Sequence, residues 1–190
     1  MMAHPAAFLG DVAAERKSGP VRVLDIAAGH GLFGIAVAQR NPQASITALD
    51  WEKVLEVAQE NAVQAGVADR YKLLPGDAIR IHYGQSYDFI LLTNILHHFD
   101  QETCITIMSK VAQALNPDGL AITLEFIPND DRVTPPDAAT FGMTMLATTP
   151  AGDAYTFAEY QEMWRRAGLE RHELIDVPRS PQRLIVSGRG

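Results

Sequence analysis

Asp25 and Gly29 stand four residues apart (29 − 25) in the stretch VRVLDIAAGHGLFG at residues 21–34. The small-residue turn Ala27, Ala28, Gly29, His30 and Gly31 lets a ligand approach the backbone, and the free N–H groups of a following helix point at it. Gly29, Gly31 and Gly34 have the G-x-G-x-x-G spacing of a dinucleotide site, which alone is a weak signal. Asp25 separates the candidate ligands, because a carboxylate repels a pyrophosphate and attracts a molecule bearing an ammonium and a sulfonium. An ordinary glycine-bearing turn with no ligand is the competing reading.

Other polar residues suit the same kind of site. Asp50 lies 19 residues beyond Gly31 (50 − 31), near the spacing at which α/β folds set an acid on a ribose diol. It also suits a helix N-cap. Trp51 beside it fits either an adenine face or the core. Pro75, Gly76, Asp77 and Ala78 form a further turn, where an aspartate often bonds its own backbone. Asn94 follows the most apolar run, residues 87–93, and His97 follows in NILHHFD. Glu125 comes 28 residues after His97 (125 − 97), inside an apolar run where an ionised carboxylate needs a partner. The irregular spacing of Asp131, Asp137 and His82 around these residues makes no metal set, and no metal is expected.

The elements that must carry these residues alternate. A helix over 5–17 precedes strands at 21–26, 45–49, 71–74, 87–93 and 120–127, with helices between most of them. Asn116, Pro117, Asp118 and Gly119 read as a turn. Residues 128–136 are a polar connection. Phe141, Met143, Met145 and Leu146 make an apolar stripe that reads as core. Thr156 and Glu159 form a capping box that opens a helix ending at Gly168, and two strands close the chain. The order implies an α/β, Rossmann-like doubly wound, mostly parallel seven-stranded sheet with an antiparallel edge strand. Residues 1–20 read as an N-terminal helix and linker, and 21–190 as one domain. Asp25, Asp50, Asp77, Asn94 and His97 fall at the carboxyl ends of strands, where such folds bind ligands.

Composition sets bounds. The 190 residues carry a net charge of −7, which argues against a nucleic-acid or anionic-membrane partner. Cys104 is the one cysteine, so no intrachain disulfide forms, in keeping with a cytoplasmic setting. No apolar run reaches the length of a membrane span, and the first residues lack the pattern of a secretory signal.

Asp25-x-Ala27-x-Gly29-x-Gly31 resembles the acidic-x-Gly-x-Gly-x-Gly signature of class I S-adenosylmethionine-dependent methyltransferases, with Ala27 at the first glycine. TNILHHFDQETC and LEFIP extend the resemblance to the catalytic domain of the small-molecule O-methyltransferases related to the caffeic acid and acetylserotonin enzymes, bacterial members included. It covers residues 21–190. The resemblance implies S-adenosylmethionine as cofactor and S-adenosylhomocysteine as product. It places Asp25, Ala27, Gly29, Gly31, Asp50, Trp51, Gly76, Asp77, Ala78 and Asn94 at the cofactor, with Asp77 accepting from the adenine amino group. It makes His97 the catalytic base, oriented by Glu125, acting on a small-molecule methyl acceptor with an aromatic or polyketide-like hydroxyl in secondary metabolism.

The pattern is departed from in places. His98 stands where the family has an aspartate. Ala154 stands at the apparent position of a second acid, with Asp153 beside it. Family members are homodimers whose N-terminal dimerisation domain also walls the substrate pocket, and the reading takes that domain as missing here. Three alternatives stand beside methylation. They are a non-methylating relative that binds S-adenosylmethionine, a NAD-dependent oxidoreductase (opposed by Asp25 and the lack of a Tyr-x-x-x-Lys pair), and a non-catalytic binding domain. Nucleic-acid methylation lacks its motifs, since no Pro-Pro turn follows Asn94 and no proline precedes Cys104.

Overall fold

The computed structural model describes residues 2–190. It begins with α1 (Ala3–Arg16) and continues through β1 (Val21–Ile26), α2 (Leu32–Arg40), β2 (Ala44–Asp50), α3 (Glu52–Gln64), β3 (Tyr71–Pro75) and β4 (Tyr87–Thr93). Then come α4 (Gln101–Ala114), β5 (Leu115–Glu125), α5 (Pro136–Thr148), α6 (Phe157–Arg166), β6 (Arg171–Asp176) and β7 (Arg183–Gly188). The seven strands form one sheet in the order β3, β2, β1, β4, β5, β7, β6. β1 pairs with β2 and β2 with β3 in parallel, while β7 runs antiparallel to both β5 and β6. The expected α/β sheet, mostly parallel and reversed near one edge, is therefore present, with β7 as the reversed strand next to edge strand β6.

Two compact units can be distinguished. The first takes the chain up to Leu91 together with Ala114–Gly119, and the second takes Leu92–Gln113 with Leu120–Gly190.

In the first unit, Val23, Leu24 and Ile26 of β1 are fully buried. A continuous apolar run is what a parallel strand covered on both faces requires. α1 packs on α2, and its Leu9, Val12 and Ala13 are buried. The approach is close at Gly10, where a Cβ would lie 2.9 Å from the Ala36 carbonyl oxygen. At the far end of the unit Asp88 accepts from Lys17 Nζ (2.8 Å), the Arg22 N–H (2.7 Å) and Asn116 Nδ2 (3.0 Å). Burial alone would raise this carboxyl, and the three bonds outweigh it and hold the group below the usual carboxylate range. They also correct one expectation. Residues 116–119 do not turn but belong to β5, which begins at Leu115. Asn116 bonds Asp88, Asp118 accepts from Lys17 at 2.8 Å, and Gly119 lies so near the Tyr87 carbonyl that a Cβ would stand 2.7 Å from it.

In the second unit, Cys104, Ile107, Met108 and Val111 bury the inner face of α4. The expected capping box opens α6: Thr156 Oγ1 accepts from the Glu159 N–H at 3.3 Å, and Glu159 Oε2 accepts from the Thr156 N–H at 2.8 Å. Tyr160, Met163 and Trp164 then bury its apolar face. The apolar stripe of α5 is divided rather than buried as a whole. Met145 is buried, whereas Met143 is 72% and Leu146 81% exposed.

Candidate active site

Two constellations carry the residues singled out in the sequence, one in each unit. In the first unit, β1 delivers Asp25 into the core, fully buried. Its Oδ2 accepts from the Gly34 N–H at 2.9 Å, in the first turn of α2. Its Oδ1 is buried without a hydrogen-bond partner. Burial pushes the carboxyl up to about 7; the Gly34 bond opposes that rise, and the nearby charge of Asp50 adds to it. Asp25 thus fixes the start of α2 and presents no exposed carboxylate.

The turn after β1 is built from left-handed residues: Ala27 at φ 54°, Gly29 at 57° and Gly31 at 79°. Gly31 is required on two grounds. Besides its φ, a Cβ there would lie 2.5 Å from Tyr71 Oη and 3.1 Å from Ala58 Cβ. Gly29 differs, since no atom beyond its own residue and its two chain neighbours lies within 4 Å of where its Cβ would be.

Asp50 ties three turns together. Its Oδ2 accepts from the Gly29 N–H at 2.8 Å, its Oδ1 from the Trp51 N–H at 2.7 Å, and its backbone carbonyl from the Gly76 N–H at 2.9 Å. Trp51 is the N-cap residue of α3 and 61% exposed. Asp77 takes the turn role, with Oδ1 accepting from the Ile79 N–H at 2.8 Å. Next to it the Ala78 carbonyl accepts from Tyr83 Oη at 2.7 Å. The structure therefore brings Asp25, Ala27, Gly29, Gly31, Asp50, Trp51, Gly76, Asp77 and Ala78 onto adjoining turns of one unit. Those turns fit a nucleoside-bearing cation on two counts. A buried acceptor stands unpartnered beside them, and the space in front of Gly29 is free of protein atoms.

In the second unit, β4 hands over to a short turn that carries His97. Asn94 sits at φ 56° and its N–H donates to the Leu124 carbonyl at 3.0 Å. Leu96, His97 and His98 form a single 3-10 turn. His97 Nδ1 lies 2.5 Å from Glu125 Oε2, and the Leu96 N–H donates to Glu125 Oε1 at 2.9 Å. Glu125 is fully buried and both of its oxygens are engaged, as a carboxylate in an apolar strand requires. A carboxylate accepts from the Nδ1–H, so the tautomer that satisfies it leaves the Nε2 lone pair to take a proton.

Aromatic rings flank the imidazole. The Phe141 ring meets His97 edge-on (centroids 4.8 Å, 84°) and stacks on Phe126 (3.9 Å, 16°). The His98 ring lies 4.3 Å from that of His97. Burial lowers the His98 imidazole pKa, and the neighbouring His97 lowers it further. The loop is held from outside as well: Cys104 Sγ bonds the Leu96 carbonyl at 3.2 Å and Tyr155 Oη the Phe99 carbonyl at 2.7 Å. Asp153 does not serve His97. It accepts from Arg132 at 3.1 Å and from the Ala154 N–H at 2.8 Å, while Ala154 is buried. Glu125 is thus the acid bonded to the imidazole.

Sequence reasoning missed two contributors. Tyr71, with a buried unpartnered hydroxyl, stands against Gly31. Gln182 Nε2 donates to Asn94 Oδ1. Neither lies in a motif. Among the described residues no group of three or more His, Cys, Asp or Glu is placed to hold a metal ion. No described helix is long and apolar enough to cross a membrane.

Comparison with known proteins bears on what these constellations do. A solved structure of a candidate O-methyltransferase from Nostoc punctiforme superposes with a TM-score of 0.94 at 52% identity, over 98% of this chain and 56% of that one. A 3-hydroxy-5-methyl-1-naphthoate 3-O-methyltransferase of Streptomyces sahachiroi is 32% identical over 90% of this chain and 49% of its own length. The S-adenosyl-L-methionine-dependent methyl transferase PigF of a Serratia strain is 29% identical over 86% of this chain and 47% of its own. The solved structure of PigF with SAH superposes with a TM-score of 0.86 at 25% identity, over 99% and 56%. The chain spans about half the length of the curated relatives it matches. Residues 12–170 match the model of the O-methyltransferase domain, and the chain belongs to that family.

Proposed function

We propose that the chain is an S-adenosylmethionine-dependent O-methyltransferase domain acting on the hydroxyl of a small aromatic or polyketide-like molecule. The observation that carries this reading is the buried pair of His97 and Glu125, 2.5 Å apart, on the loop that follows β4. Glu125 holds the imidazole in the tautomer that takes a proton on Nε2. A phenol has a pKa of about 10, so little phenolate exists at neutral pH without a base. Abstraction by a positioned base is worth about 10²–10⁴-fold, and alignment of the two reactants can contribute more. The 32% identical relative that acts on a hydroxynaphthoate supports an aromatic acceptor.

The cofactor assignment rests on the turns around Asp50, together with the methyl donor and product named for PigF. Bound S-adenosylmethionine supplies an electrophilic methyl on a sulfonium. Asp50 uses one lone pair on each oxygen for a backbone N–H, which leaves acceptor capacity for a ribose diol. Gly29 gives close approach to the backbone. Trp51 offers an exposed ring, and the turn of Asp77 and Ala78 offers a carboxylate and backbone groups to the adenine edge. Asp25 contributes negative charge from within the core. A cytoplasmic setting belongs to the same proposal.

The test is a transfer assay with methyl-labelled S-adenosylmethionine and a panel of hydroxynaphthoates and hydroxybenzoates, with products located by mass spectrometry and NMR. A labelled methyl ether on at least one acceptor, formed with S-adenosylhomocysteine, is expected. Label on carbon or nitrogen alone, or an altered acceptor without label, overturns the reading.

A further inference from the structure

Gln182 immediately precedes β7 and is 2% exposed. Glutamine is ordinarily a surface residue, and burying a primary amide costs stability unless its polar atoms are bonded. Here the amide reaches across to the catalytic loop, with Nε2 donating to Asn94 Oδ1. Asn94 is the first residue after β4 and sits at φ 56°. A residue other than glycine enters the left-handed region at a cost, smaller for asparagine than for most, and surrounding bonds help to keep it there. Two residues on, the Leu96 N–H reaches Glu125 Oε1, and three residues on, His97 Nδ1 reaches Glu125 Oε2. The direction in which the chain leaves β4 therefore decides whether both groups meet the one carboxylate. Glu125 is the register partner of Arg183, so Gln182 comes from the position just before that pair.

We propose that Gln182 is a positioning residue for His97. It holds Asn94 in its left-handed conformation and so aims residues 95–97 at Glu125. The catalytic meaning of this role rests on His97 being the base proposed above, while the positioning itself does not.

Amide hydrogen exchange followed by NMR on the 190-residue protein separates positioning from plain core filling. Replacement of Gln182 by methionine (Gln182→Met) keeps the length and removes the donor. Leu96 exchange is expected to rise about tenfold, the size of one lost hydrogen bond, while amides of the β5 and β7 ladder change far less. Asn94→Gly supplies the control, because glycine adopts this φ without a clamp. In that background Gln182→Met is expected to change Leu96 exchange by less than about twofold. Should Gln182→Met not fold, Gln182→Asn, one methylene shorter, draws the amide back from Asn94 and is expected to give the same pattern. The proposal is overturned if Leu96 exchanges no faster than the ladder amides, or if the rise is equal in both backgrounds. Leu96 exchange that follows the expected pattern in a protein without methyl-transfer activity upholds the positioning and overturns only the catalytic reading.

Discussion

Glu125 holds both His97 and the backbone that leads to it: Oε2 lies 2.5 Å from His97 Nδ1, and Oε1 accepts from the Leu96 N–H at 2.9 Å. A carboxylate is the side chain that can accept on both sides at once. One buried residue thereby sets the tautomer of the imidazole and the path of the loop.

Glu125→Gln should either reverse the imidazole tautomer or lose a hydrogen bond, depending on which way the amide faces. With its NH2 toward His97, the ring must accept on Nδ1 and carry its proton on Nε2, where it no longer serves as a base. With its NH2 toward Leu96, two donors oppose each other. Turnover in the transfer assay is expected to fall by about 10²–10⁴-fold. Urea unfolding should show a loss of about 1–3 kcal/mol where the amide leaves two donors opposed, and little change where the tautomer reverses instead. Turnover near that of the wild type would show that Glu125 is not needed to orient the base.

Asp25 should make stability depend on pH in the sense opposite to a salt-bridged carboxylate. Burial raises its folded carboxyl to about 7, above the ordinary value. Between about pH 4 and pH 7 the folded state therefore binds more protons than the unfolded one, and stability falls as pH rises through that window, by at most about 1.4 kcal/mol per unit. Asp25→Asn keeps an acceptor for Gly34 and has no proton to lose. Its stability relative to the wild type should be higher at pH 8 than at pH 5 in urea titrations. An equal difference at both pH values would refute the raised carboxyl.

Gly29→Ala and Gly31→Ala should separate ligand space from protein packing. Both positions are left-handed, so each alanine costs about 1–2 kcal/mol of backbone strain. At Gly31 the methyl also meets Tyr71 Oη and Ala58, so Gly31→Ala should lower the melting temperature further, and Tyr71→Phe should recover part of that loss. At Gly29 the methyl meets no residue beyond its chain neighbours. Gly29→Ala should leave stability nearer the wild type while weakening calorimetric binding of S-adenosylhomocysteine at least about tenfold, the equivalent of one lost hydrogen bond or contact. Unchanged affinity in Gly29→Ala would place the ligand elsewhere.

Much of this arrangement was legible because its physical solutions are few. A glutamate inside an apolar strand has to find a donor, and the resemblance to the O-methyltransferases pointed to His97 as that donor. Three parallel strands ending in Asp25, Asp50 and the turn of Asp77 follow from apolar runs and small-residue turns. Other features depend on tertiary context. Asp25 has the same spacing whether its carboxylate faces a ligand or caps Gly34, and the structure shows the second. Asn116 to Gly119 have turn chemistry, yet Asp88 and Lys17 draw them into β5. Met143 and Leu146 share a helical stripe with Met145, but α5 turns them outward. Gln182 shows no motif, since a glutamine before a strand is read as a solvated surface residue, and its partner lies 88 positions away.

The most direct test compares the wild type with His97→Ala in two readings made together: the rate of label transfer from S-adenosylmethionine to a hydroxynaphthoate, and calorimetric binding of S-adenosylhomocysteine with NADH as control. With His97 as the base, transfer falls by about 10²–10⁴-fold, S-adenosylhomocysteine binds both proteins equally, and NADH binds neither. Equal transfer rates in the two proteins, or binding of NADH in place of S-adenosylhomocysteine, would contradict the account.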